Sequence, residues 1–78
     1  MSDQPLIYHD EDITVDVTLK IERVVSLIAQ QRQLDFDHAY AGFVRSRTHA
    51  ALQNTKTLMW AESAEFIVDS YDAESAAD

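Results

Sequence analysis

The sequence predicts an all-α fold: a single small domain of about four helices, preceded by an acidic N-terminal arm with room for a short strand. Three observations predict it. One Gly and one Pro in 78 residues leave almost none of the positive-φ and breaker residues that tight hairpins use. Val17, Ile21, Val24, Val25 and Ile28 recur at helical spacing. Strong helix formers (Ala, Leu, Gln, Glu, Arg) fill much of the remainder. An apolar content of 46% is enough for a core and argues against wholesale disorder.

A chain of this length makes one domain at most, with a core contributing roughly 3–5 kcal/mol. The absence of cysteine excludes disulfides and thiolate metal sites and fits a reducing compartment. No apolar run is long enough to span a bilayer, and MSDQPLIYHDED lacks the layout of a signal peptide. The expectation is a soluble, cytoplasmic protein that does not engage a membrane.

Residues 1–12 read as an acidic arm interrupted by the apolar triplet Leu6, Ile7 and Tyr8. Residues 13–75 read as the helical domain and 76–78 as a fraying tail, with fraying expected from Ala73 onward. The first helix covers 13–33, capped by Thr14 or Asp16. A competing strand signal lies at its front, where Ile13, Val15, Val17 and Leu19 alternate with polar residues; Leu6–Tyr8 would be the pairing partner. Asp35 is the expected N-cap of a second helix over 36–45, with Asp37 favouring the positive end of its dipole and Leu34 stapling against Ala39. That helix should bury Phe36, Ala39, Tyr40 and Phe43, and Gly42 should mark close packing against another helix. Ser46 or Thr48 caps a short helix over 47–53 that buries Ala51 and Leu52. Residues 54–57 form a polar connection, and Trp60, beside Leu58 and Met59, reads first as closing the core and second as an exposed anchor for a partner. Ser63 starts the last helix, about 63–74, with Phe66, Ile67, Ser70 and Tyr71 on its buried stripe.

Charge is sorted along the chain. Residues 1–16 hold five acids and no base, and residues 62–78 hold six acids and no base. All six bases lie between, and the net charge is −8. Such a field repels phosphate and steers basic partners. Arg45, Arg47 and Lys56 form a small basic patch, too weak against that field for direct nucleic-acid binding; pairing with the chain's own acids is the plainer reading.

Chemistry is hard to find. His9-Asp10-Glu11-Asp12 are contiguous, so their side chains diverge instead of converging on a cation. His38 and His49 have no partner at metal-ligand spacing. There is no Cys nucleophile, Gly-rich phosphate loop or H-E-x-x-H motif, and exposed acids make poor catalytic pairs. The expectation is a protein without enzymatic activity, cofactor or metal. Glu62, Glu65, Asp69 and Asp72 fall at steps of three, four and three, which aligns them on one helical stripe. They read as a solvated face or as the surface for a basic protein partner, possible members of a partner-binding site.

Between Thr18 and Tyr71 the chain resembles small bacterial proteins of unknown function of the DUF3791 type. The resemblance is carried by Ser26-Leu27-Ile28-Ala29, by Asp35-Phe36-Asp37-x-Ala39 with Phe43, by Arg45-Ser46-x-Thr48 and Leu52, by Thr57-Leu58-x-Trp60, and by Glu62-Ser63 with Phe66-Ile67 and Tyr71. It implies a non-catalytic, toxin-neutralising or accessory role, as in toxin–antitoxin-like loci, and carries over no functional residue. Size and charge stripe together also fit a phage-type (anti-CRISPR) inhibitor that blocks a nucleic-acid-binding defence complex as a nucleic-acid mimic. A structural homo-oligomer is the third expectation.

Overall fold

The computed structural model describes residues 6–8 and 11–77. Two short extended segments, β1 (Ile7–Tyr8) and β2 (Glu11–Asp12), lead into four helices: α1 (Thr14–Arg32), α2 (Phe36–Phe43), α3 (Arg47–Gln53) and α4 (Ala64–Ala77). Two 3₁₀ turns, Thr55–Thr57 and Met59–Ala61, join α3 to α4. The domain is all-α. Its β1–β2 pair is one antiparallel rung set, Ile7 opposite Asp12 and Tyr8 opposite Glu11. Leu6–Tyr8 therefore pairs with the segment before α1, and the strand-like alternation of Ile13–Leu19 yields to helix. Val15 and Leu19 pay no burial for this choice; both stay exposed on α1 while Ile13 and Val17 are buried.

The start of α1 differs from expectation. Neither Thr14 nor Asp16 is the cap; Ile13 occupies that position without a side-chain bond. Asp12 Oδ1 accepts instead from the Thr14 N–H at 2.9 Å. The Thr14 hydroxyl is occupied by the arm, accepting from the Leu6 N–H at 2.7 Å, and the Ile13 N–H returns a bond to the Leu6 carbonyl at 2.8 Å. The helix ends where Gln33 turns left-handed (φ 55°) and Leu34 donates to the Ala29 carbonyl at 2.9 Å.

Three later caps fall where the sequence puts them. Asp35 Oδ1 accepts from the His38 N–H at 2.8 Å, Ser46 Oγ from the His49 N–H at 3.0 Å, and Ser63 Oγ from the Phe66 N–H at 3.1 Å. Each satisfies an otherwise orphaned donor of a first helical turn. Helix α2 stops at Phe43, two residues short of expectation, because Ser46 folds back and donates both its N–H and its hydroxyl to the Phe43 carbonyl, while the Arg47 N–H goes to Glu74. Helix α4 starts at Ala64 and continues to Ala77, past the expected fraying point.

Helix α1 packs between α2 and α4, and α3 packs on α4. Val17, Val24, Val25 and Ile28 of α1 meet Ala39 and Phe43 of α2, Leu52 of α3, and Ala64, Ile67, Val68 and Tyr71 of α4 in one core. Gly42 faces α4: a Cβ built there would lie 3.1 Å from the Tyr71 hydroxyl oxygen. The Tyr71 ring meets Phe43 edge-on at 5.4 Å.

Several residues assigned to the core are outside it. Phe36, Tyr40 and Phe66 are 43%, 45% and 48% exposed, Leu34 is exposed, and Ser70 and Ala51 are only half-buried. With three helices already filling the core from Ala39 and Phe43, α2 has no fourth neighbour to cover Phe36 and Tyr40, which stack on each other at 6.2 Å. Helix α4 likewise buries a stripe centred on Ile67, Val68 and Tyr71, which turns Phe66 outward. Trp60 is half-buried against the core, and its indole N–H donates to the Thr55 carbonyl at 3.1 Å.

Candidate partner-binding surface

The acids of the C-terminal third occupy three different situations. Glu62 precedes the N-cap of α4 in extended backbone (φ −79°, ψ 163°), so it belongs to the connection and not to the helix. Its carbonyl, not its carboxylate, accepts from Lys20 Nζ at 2.7 Å. Glu65 lies in the first turn of α4, where the helix dipole favours a carboxylate. Asp69 follows one turn later, and all three residues are exposed. Among the described residues none of these three carboxylates joins an ion pair. Asp72 does: its Oδ1 accepts from Arg32 Nη2 at 2.8 Å, and the same guanidinium sits 4.8 Å over the Tyr71 ring. The four-residue stripe thus divides into three outward acids and one acid tied to α1.

Phe66 stands among the outward three. Asp69 lies about one turn after it on the same side of α4 and Glu65 is its neighbour in sequence, while Glu62 sits in the connection before the N-cap, so the exposed ring has acids before and after it. An exposed aromatic framed by uncompensated charge pairs an anchor for a hydrophobic pocket with a rim that selects basic neighbours. The sequence reading assigned Phe66 to the core and missed this; the usable signal was that polar residues lie at its i−4, i−1 and i+3 positions.

Glu74 is the internally committed acid of α4. Oε2 accepts from the Arg47 N–H at 2.8 Å, and Oε1 from both the N–H and the hydroxyl of Thr48 at 2.9 Å. The Arg47 backbone bond, helped by Thr48 and the Arg47 charge and opposed by partial burial, holds the Glu74 carboxyl below the ordinary range. The basic patch is therefore met by the chain's own helix at Arg47, whose Nε lies 3.8 Å from Glu74 Oε2.

His38 and His49 stand in separate settings. His38 Nδ1 lies 2.6 Å from Asp35 Oδ1 in solvent. His49 stacks edge-on against Phe43 at 5.5 Å, and its burial lowers its pKa and favours the neutral ring. Among the described residues, no group of three or more His, Cys, Asp or Glu side chains is placed to hold a metal; His9 and Asp10 of the arm's contiguous set lie outside those residues. Nor is any helix of the described residues long and apolar enough to cross a membrane.

A second surface lies on the opposite flank. Helices α1, α2 and α3, closed at one end by Leu6, border an open groove of about 890 Å³. Val17 and Ile21 of α1, Phe36 and Tyr40 of α2, and His49 and Gln53 of α3 line it. No α4 residue contributes to it. A search for similar proteins finds no matching family model, no matching curated protein and no matching solved structure.

Proposed function

We propose that this protein is a non-catalytic binding protein that neutralises or regulates a protein partner by covering a basic surface on it with the outer face of α4. The observation that carries the reading is the exposure of Phe66 within the rim of Glu62, Glu65 and Asp69, none of which is ion-paired among the described residues. Among the described acids of the C-terminal third, Asp72 and Glu74 are held in bonds to other helices, and these three are left exposed. An antitoxin-like role is the form of this reading that we propose first. The second reading, an anti-CRISPR type of inhibitor that mimics nucleic acid, draws on the same carboxylates. It requires a partner that normally holds a phosphate backbone.

The test is affinity capture from the native host with three baits: the parent protein, a Glu62→Gln/Glu65→Gln/Asp69→Asn variant, and Phe66→Ala. A partner retained by the parent and lost by both variants supports the α4 face. Retention by all three refutes it. Competition of the captured complex with duplex DNA then separates the two readings: displacement by DNA favours the mimic, and indifference to DNA favours the antitoxin-like role.

A further inference from the structure

We infer that the groove between α1, α2 and α3 receives an amphipathic helix of a protein partner, apolar on the inserted face and basic along its flanks. The groove is independent of the α4 face, so this inference does not rest on the function proposed above. Its dimensions fit a helix. Its α1 side runs from Thr14 to Glu22, nine residues or about 12 Å of helix, close to the reach of anchors at i, i+4 and i+7. A volume of about 890 Å³ in an open trough holds a row of side chains instead of enclosing one small ligand. The aromatic wall is already formed: Phe36 and Tyr40 stack with rings 11° from parallel, and neither is covered by the chain's own core.

Charge selects the flanks. Among the described residues no Lys or Arg lines the groove, while the exposed Glu22 does. A second copy of this chain would bring its own net charge of −8 against the groove, which disfavours self-association. A basic flank gains from the same field.

Titration of ¹⁵N-labelled protein tests this with three synthetic 15-residue peptides: one with Leu at i, i+4 and i+7 among Lys and Ala, a twin with Glu for Lys, and a scramble of the first. The first peptide should shift the amides of Thr18, Ile21, Tyr40, His49 and Gln53 in a saturable way. Thr18→Arg, which places a cation over an exposed groove position, and Tyr40→Ala should each weaken binding by about tenfold or more. The Glu62→Gln/Glu65→Gln/Asp69→Asn variant should change it by less than about threefold, the size of a long-range effect. Equal binding by the Glu twin or the scramble overturns the inference. So do shifts confined to α4, or the absence of saturable binding at millimolar peptide. A parent dimer in sedimentation that Thr18→Arg dissociates would make a second copy the occupant and overturn it too.

Discussion

Glu74 caps a helix to which it does not belong: its Oε1 takes both the backbone N–H and the hydroxyl of Thr48, 26 residues earlier, at 2.9 Å. With the Arg47 N–H on Oε2 at 2.8 Å, one carboxylate satisfies two orphan donors of α3 and ties that helix to α4. Glu74→Gln puts an amide N–H where a donor already points. It should lower Tm at pH 7. Because the folded-state pKa is depressed, the stabilisation from the carboxylate is present above the ordinary glutamate range and is lost as pH falls through the folded value. The Tm difference between parent and variant should therefore shrink from pH 6 to pH 3. Equal Tm values at pH 7 would remove Glu74 from the account of the fold.

Trp60 is half-buried and makes a hydrogen bond to Thr55, so its loss should cost less than that of a fully buried aromatic. Trp60→Ala is expected to cost about 2–3 kcal/mol, below the usual range for a fully enclosed Trp. Trp60→Phe, which loses mainly the bond, should cost about 0.5–1.5 kcal/mol. Urea unfolding followed by far-UV circular dichroism measures both without relying on the indole signal.

Phe43 and Phe66 separate packing from surface. Phe43 is wholly buried and flanked by His49 and Tyr71. Phe43→Ala should cost about 3–5 kcal/mol, comparable to the stability of so small a domain, and leave little folded protein. Phe66→Ala should stay within about 0.5 kcal/mol of the parent. Thermal melts of the two variants side by side decide this, and a Phe66→Ala variant as damaged as Phe43→Ala would return Phe66 to the core.

At Gly42 two effects oppose each other. Alanine gains about 1 kcal/mol of helix propensity, but its methyl would sit 3.1 Å from the Tyr71 hydroxyl oxygen. The ring is braced by Phe43 and by Arg32, so it yields poorly. Gly42→Ala should realise less than that full gain, and Gly42→Val should lose about 1–3 kcal/mol through overpacking. The pair is read by denaturant midpoint at constant m-value.

Local chemistry was legible in the sequence. Asp35, Ser46 and Ser63 cap through bonds three residues long, and the Val17–Ile28 stripe needs only helical periodicity. Gly42 was readable only in part, since what a side chain there would meet is the Tyr71 hydroxyl at 3.1 Å and not a closely packed helix. What sequence could not show were choices made by tertiary neighbours. Phe36, Tyr40 and Phe66 have core-like spacing but face sides on which no helix packs. Asp72 and Glu74 look like the acids beside them, yet their partners Arg32 and Thr48 lie 40 and 26 residues away. At the start of α1, the arm captures the Thr14 hydroxyl that would otherwise cap. The groove joins three separated segments and has no linear motif.

The central claim, that Glu62, Glu65 and Asp69 meet a basic partner, is tested most directly by calorimetric titration of the captured partner across a salt series. The parent, the Glu62→Gln/Glu65→Gln/Asp69→Asn variant and Asp72→Asn are compared. The parent should weaken steadily with salt. The triple variant should bind about tenfold or more weakly at low salt, with a flatter salt dependence. Asp72→Asn should bind like the parent, because its carboxylate is already held by Arg32. A triple variant that binds as tightly as the parent at every salt concentration would contradict the claim and reduce those carboxylates to a solvated face.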